Sequence, residues 1–417
     1  MSPVTLAVVG AGNRGTEHAA WALAHPDRAR VVAVAEPRAA RRERLAAAHG
    51  IGPDAAFTCW RELAGRGRIA EAVLICTQDA MHAEPAITLA GLGYHVLLEK
   101  PIAPSEADCR AVVEAAERAG VLLAVGHVLR YTPYTAAVKR LVDAGRLGEV
   151  VSVQHLEPVG FWHHAHSYVR GAWRREDAST FMLLAKSCHD LDWLQHVVGR
   201  PIRRVASFGG LAHFRPENRP AGASDRCLDC AVEPTCPYSA TRFYRPYLEG
   251  SGGWPLDAVV DSVTEADLAA ALREGPYGRC VYACDNDAVD HQVVAMEFDG
   301  GATGTFTMTA FNAGGHRRTR LFGTRGELEG DGETVRVYDF LTGVREVLDV
   351  HAAGDATAGG GHGGGDAGLM EAFVHAVATR DRAGILCGPR EALQAHLAAF
   401  AAERARRQGT VEVVPSG

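Results

Sequence analysis

Two sets of residues in this chain carry chemical meaning in their type and spacing. The first is Gly10-Ala11-Gly12-Asn13-Arg14-Gly15, which follows directly on the apolar run Leu6-Ala7-Val8-Val9. Glycines so spaced, closing a strand and opening a helix, form a dinucleotide cradle. Gly10 permits the tight turn and Gly12 leaves no side chain to hold a pyrophosphate away. Gly15 lets the helix pack on the strand, and the helix N-terminus, with Asn13 and Arg14, faces the phosphates. Glu36 lies 21 residues after Gly15, at the end of the next apolar run. A carboxylate there accepts both ribose hydroxyls and repels a 2′-phosphate, which favours NAD. Arg38, Arg41 and Arg42 are able to embrace a phosphate, so NADP stays possible.

The second set is thiol. Cys227-Leu228-Asp229-Cys230 is followed by Cys236-Pro237, with Cys280 and Cys284 farther on. A Cys-x-x-Cys knuckle offers two thiolates from one turn, the usual beginning of a structural zinc site. Cys236 and Cys280 would complete it, Cys284 being an alternative fourth ligand. Iron–sulfur ligation by the same thiols ranks behind zinc, and packing of reduced cysteines as small hydrophobes is the competing account.

Composition narrows the classes. At 417 residues the chain is long enough for two or three domains. A hydrophobic share of 47% with 22% charged residues is that of an ordinary globular protein. A formal net charge of −7 argues against nucleic acid or an anionic membrane as partner. There is no apolar run of membrane-spanning length and no basic segment ahead of the first strand, so we expect a cytoplasmic protein. Ten cysteines in so long a chain do not form a disulfide scaffold.

The elements that must position these groups are read from periodicity. Over residues 4–125, short apolar runs alternate with amphipathic stretches as in βαβ units. The strands are Val4–Val9, Val31–Ala35, Ala72–Cys76, His95–Leu98 and Val121–Val125, with Ser105 as N-cap of a helix to Ala119. The pattern predicts an α/β Rossmann domain over 1–125. From about Val150, strands separated by turn-sized gaps predict an α+β domain over 126–417 with a large, open, mainly antiparallel sheet. A helix over about Phe181–Val198 precedes most of it. Residues 213–285, rich in Cys, Pro and Tyr, read as an insertion, and the glycine-rich stretch 352–368 as a flexible linker.

With Glu99-Lys100-Pro101 added to the glycine motif, the chain resembles the Gfo/Idh/MocA oxidoreductases. The resemblance also includes Thr77-Gln78-Asp79-Ala80-Met81-His82, Gly126-His127-Val128-Leu129-Arg130-Tyr131 and a His-Asp helix near 189. Lys-Ser-Cys-His-Asp and Cys-Pro-Tyr-Ser-Ala resemble a subgroup with the cysteine insertion. The resemblance implies a Rossmann domain with an open-sheet domain and a nicotinamide cofactor. It also implies sugar or cyclitol substrates, and dimers or tetramers formed through the sheet. Gly10, Gly12, Asn13, Arg14, Gly15, Glu36, Thr77, His82, Glu99, Lys100 and Pro101 become the expected cofactor-binding set.

Hydride transfer from a secondary alcohol needs a base for the hydroxyl proton and a donor for the developing carbonyl. Lys100 matches the family lysine between nicotinamide and substrate, and His189 the family histidine, suited to general base work near neutrality. Ala185 stands where many relatives carry an aspartate one helical turn before that histidine, which shifts the acid–base burden to His189, Lys186 or Lys100. Lys186 is then a third catalytic or substrate-binding candidate, or the partner of a structural ion pair with Asp190. Arg130, Tyr131, His166, Tyr168, Arg170 and Trp173 complete the expected substrate contacts, with His163, His164 and His362 nearby.

The leading expectation is an NAD(P)-dependent oxidoreductase acting on a hydroxyl of a sugar, cyclitol or glycoside. The first alternative is an NAD-dependent glycoside hydrolase or lyase that oxidises C3 transiently and eliminates. The second is a non-catalytic sensor of the cofactor on the same fold.

Overall fold

The computed structural model describes residues 2–250, 253–350 and 363–417. Its first sheet is wholly parallel, in the order β3-β2-β1-β4-β5-β6. The strands are β1 (Val4–Val9), β2 (Ala29–Ala35), β3 (Ala56–Phe57), β4 (Ala72–Ile75), β5 (His95–Leu98) and β6 (Leu123–Val125). Helices cover both faces, so the strands read as continuous apolar runs; all four residues of β4 and of β5 are buried. The strand order reverses between β1 and β4, which pair from Leu6↔Ala72 to Val9↔Ile75. The glycine turn leaves β1 at this point and Thr77 follows β4, so both loops open at the crevice where such sheets take ligands. Ser105 caps the helix Glu106–Ala119, its Oγ accepting from Asp108 N–H at 3.1 Å.

The second sheet has nine strands in the order β14-β13-β12-β11-β7-β10-β9-β8-β15. They are β7 (Val150–Pro158), β8 (Ile202–Gly210), β9 (His291–Phe298), β10 (Thr303–Thr309), β11 (Arg318–Gly323), β12 (Gly326–Gly330), β13 (Thr334–Asp339), β14 (Arg345–Asp349) and β15 (Val411–Val413). Every pair is antiparallel except β7 with β10. Alternation sets its two faces. Val205, Val294, Phe306, Val153 and Leu321 point inward and are buried, while Phe208, Val293 and Thr305 point outward. The mainly antiparallel sheet following a parallel one is the architecture expected from the sequence.

Helix Met182–Val198 lies between the sheets, with fourteen of its seventeen residues buried. The helix Gly365–Thr379, which the sequence assigns to the second domain, packs Leu369, Met370 and Phe373 into the core of the first sheet beside Leu6 and Val8. Of the glycine-rich stretch, residues 352–362, including His362, lie outside the described residues. The insertion leaves at Gly210 and returns at His291. It consists of short turns and the helices Ala240–Tyr244 and Glu265–Glu274. It has a small core of its own, in which Tyr244, Leu256, Leu268 and Leu272 surround Ala240.

Candidate active site

The glycine turn has the form its sequence requires. Gly10 sits at φ +91°, where a Cβ would stand 2.7 Å from the carbonyl oxygen of Cys76. A Cβ on Gly15 would fall 1.9 Å from the Gly10 carbonyl oxygen, so only glycine allows this helix–strand approach. A Cβ on Gly12 meets nothing nearer than Arg41 Nη1 at 3.6 Å, which leaves its backbone open to a ligand. Gly12 also starts the helix Asn13–Ala24 with no side-chain cap, so the first N–H groups are not taken by a capping side chain. Glu36 is buried, accepting from Ala11 N–H at 2.8 Å and Arg38 N–H at 2.9 Å. Its carboxylate ties the glycine loop to the end of β2. An open turn, an uncapped helix start and a carboxylate at the second strand fit a dinucleotide.

The turn opens into a cavity of about 630 Å³ between the sheets. Asn13, Arg14, Thr77, Glu99 and Lys100 line it from the first domain; Tyr168, Trp173, Ala185, Lys186 and His189 line it from the second. The cavity thus brings together all three catalytic candidates. Lys100 donates from Nζ to the carbonyl of Ala185 at 2.7 Å. Glu99 accepts from Arg14 Nε at 2.9 Å and lies 2.8 Å from His18 Nε2. Burial opposes its charge, yet Arg14, His18 and Lys100 hold its carboxyl well below the usual range.

His189 lies one turn after Ala185 on helix 182–198, is buried, and meets the ring of His127 edge-on at 5.5 Å. The next residues of that helix look elsewhere. Asp190 is held by Arg317 Nε at 2.7 Å and His155 Nε2 at 3.1 Å. Lys186 therefore has a different partner from the expected one, Glu157, at 3.3 Å. Burial first, then Arg317 and Lys100, push the Lys186 ammonium below its ordinary range, against the pull of Glu157. Arg317 also meets Glu157, at 2.9 Å. Glu157, Arg317 and His155 all line the cavity, and sequence reading missed them. The one available signal was Glu157 itself, a charge on the buried face at the end of β7.

Four expected substrate contacts are not at the cavity. Arg130 makes a bidentate pair with Asp192, both bonds at 2.7 Å, and donates to the Leu386 carbonyl, a buried strut between helices. Tyr131 accepts from Leu386 N–H at 2.9 Å. His166 is buried, hydrogen-bonded to Tyr244 Oη at 2.6 Å and stacked on Tyr277. Arg170 turns into the insertion, donating to the carbonyls of Arg279 and Tyr238, both at 2.7 Å. Their neighbours take their place: Trp162, His163 and Trp254 form an aromatic wall, with Trp254 meeting Trp162 at 5.6 Å and His163 at 5.0 Å. His82, expected at the cofactor, instead lies 2.7 Å from the Pro101 carbonyl and 3.1 Å from that of Thr77, pinning the loop that carries Lys100.

Cys227, Cys230, Cys236 and Cys280 line one small cavity inside the insertion, and all are free thiols. Among the described residues, the one group of three ligand atoms close enough together to hold an ion is His127, Asp192 and Cys387, within 4.8 Å of one another, so the four cysteines do not form the closed zinc cage expected from the sequence. Arg130 already claims that carboxylate.

A dinucleotide turn facing a lysine- and histidine-lined cavity is the arrangement of a nicotinamide-dependent oxidoreductase. Comparison with known proteins agrees. Residues 4–127 match the Gfo/Idh/MocA model described as the NAD-binding Rossmann fold of an oxidoreductase family, and 139–414 match that family's C-terminal alpha/beta domain. The chain belongs to the Gfo/Idh/MocA oxidoreductase family. It is 32% identical to 2,7-anhydro-N-acetylneuraminate hydratase of Escherichia coli over 36% of this chain and 39% of that one. It is 28% identical to scyllo-inositol 2-dehydrogenase (NAD(+)) of Bacillus subtilis over 50% of this chain and 58% of that one. Both matches thus span less than two thirds of the relative. The crystal structure of an oxidoreductase domain protein from Kribbella flavida superimposes over the full length of both chains with a TM-score of 0.74 at 21% identity.

Proposed function

We propose that the protein oxidises a secondary hydroxyl of a sugar, cyclitol or glycoside, with NAD preferred to NADP. The observation that carries this reading is the convergence of Lys100, Lys186 and His189 on one cavity that begins at the glycine turn. Bound nicotinamide would supply the hydride acceptor. His189 would take the hydroxyl proton, Lys100 would donate to the oxygen as carbonyl character develops, and Lys186 would hold a neighbouring hydroxyl. Trp254, 39% exposed at the cavity, offers a ring face to a sugar, and the carboxylate of Glu36 supports the NAD preference. Mixing the protein with NAD and a panel of polyols and glycosides should give reduced cofactor. A folded protein that binds neither NAD nor NADP would rule the reading out.

Position 185 favours a second reading, in which oxidation is transient. Lys100, Lys186 and His189 face the cavity around Ala185, and no carboxylate occupies that turn of the helix. Such a site is equipped to remove the proton beside a new carbonyl and expel a substituent, after which the hydride returns. The hydratase relative points the same way. Release of an aglycone without net reduction of cofactor distinguishes this from simple dehydrogenation. A purely sensing role would leave Lys100 and His189 without a task at the cavity.

We further propose a homodimer or homotetramer formed through the outer face of the nine-stranded sheet, where Phe208 is 72% exposed beside Val293. A cytoplasmic location accords with the free cysteines. No described helix is long and apolar enough to cross a membrane.

A further inference from the structure

We propose that Cys227, Cys230, Cys236 and Cys280 hold a thiolate-ligated metal centre that braces the wall of the substrate cavity. The four thiols come from three separate stretches of the insertion, yet all face one cavity of about 20 Å³. The backbone brings them there. Cys227 opens a single helical turn that closes with Cys230 N–H on its carbonyl. Cys236 follows a similar turn begun at Glu233. Arg226 bridges Arg279 in antiparallel fashion, and Cys280 N–H donates to the Asp225 carbonyl at 2.8 Å, which sets Cys280 alongside Cys227. Two knuckles and a facing strand are how chains assemble sulfur ligands.

The Cys227 sulfur accepts at 3.5 Å from Ala240 N–H and at 3.5 Å from Arg170 Nη2, which fixes its position at the cavity. Cys284 does not line this cavity; its thiol donates to the Cys280 carbonyl at 3.2 Å.

The insertion also needs a fastening. Its own core is a handful of apolar side chains, and segments that small are commonly held by metals or disulfides. What it supports is the active site. Arg170 reaches the cysteine cavity from the same turn that places Tyr168 at the substrate cavity, and Trp254 of the insertion lines that cavity too.

Two metal chemistries share this ligand set. A single zinc at Zn–S about 2.3 Å needs sulfurs about 3.8 Å apart, so the thiols would have to turn inward. An iron–sulfur cluster is a larger core and takes a wider set. The test is to purify the whole protein anaerobically from cultures supplied with zinc or with iron, and to measure zinc, iron and acid-labile sulfide per chain. Stoichiometric zinc, or iron with matching sulfide and a broad visible absorption, supports the centre and identifies it. Cys227→Ser and Cys280→Ser should lose the metal, and Cys284→Ser should keep it. If the first two fail to fold, thiol labelling of the wild type serves: four thiols should be shielded until a chelator is added, and chelation should lower the melting temperature and raise KM. Protein free of metal under both supplies, with melting and labelling indifferent to chelator, would overturn the proposal. So would full metal retention in Cys227→Ser and Cys280→Ser. Neither result bears on whether NAD binds at the glycine turn.

Discussion

The ammonium of Lys100 is hydrogen-bonded to the main chain of Ala185, one helical turn before His189. The bond links the loop after β5 to the helix between the sheets, so the two groups proposed to handle the substrate oxygen and its proton are held by one piece of backbone. An ammonium has three donors, and one is spent here. We expect Lys100→Met to lower kcat/KM about 10²- to 10³-fold, the usual loss for one donor to a developing oxyanion. The dissociation constant for NAD, followed by fluorescence, should stay within a few-fold.

His189 and Lys186 are separable by which kinetic constant they move. His189→Asn should reduce kcat about 10²- to 10⁴-fold with KM little changed. Lys186→Met should raise KM about tenfold with kcat little changed, the effect of one hydrogen bond to a charged donor.

The glycines make a paired test of fold against cofactor. Gly15→Ala puts a methyl 1.9 Å from a backbone oxygen that cannot move aside, and should cost about 3 kcal/mol or prevent folding. Gly12→Ala has room, with only the end of Arg41 at 3.6 Å, so its melting temperature should match the wild type. Its affinity for NAD should nonetheless fall by more than tenfold, measurable by calorimetry.

Acid should destabilise the protein through buried neutral histidines. Burial pushes His164 down to about 4, and His166 and His396 down to about 3. Arg170 adds to the shift at His166 and His127 to that at His396. In the unfolded chain each titrates near 6.5, so as pH falls below that value the unfolded state takes up protons first. Stability is full above pH 6.5 and declines toward the folded pKa values, by about 2 kcal/mol per histidine at pH 5. His164 is stacked between Tyr168 and Phe214, and neither of its ring nitrogens has a hydrogen-bond partner among the described residues. His164→Phe should therefore remove about one proton from the slope of urea-unfolding free energy against pH.

What the sequence disclosed depended on how local the cause was. The strand Val4–Val9, the glycine turn and the Ser105 cap are set by neighbours within a few residues, and each stands where the pattern puts it. Strand β12, Gly326–Gly330, is illegible in the sequence because glycines bound it and glutamates occupy its outer face, leaving a single leucine as apolar signal. The cavity's ion pairs were out of reach for a different reason. Glu157, Asp190 and Arg317 lie on β7, on helix 182–198 and just before β11, and only the folded sheet brings them together. Arg130 misled for the same reason: the carboxylate that claims it, Asp192, is 62 residues away.

The insertion departs from β8 at Gly210 and rejoins at His291, and these two residues are direct partners across the β8–β9 pair. Its two ends are therefore already a hairpin's width apart. In evolutionary terms the sheet is complete on both sides of the junction, and a tight turn would close it. Such a junction lets the whole segment, with the Trp254 it brings to the cavity, be exchanged while the register of the nine strands stays untouched. Chimaeras cut between these two residues are the natural unit for redesign.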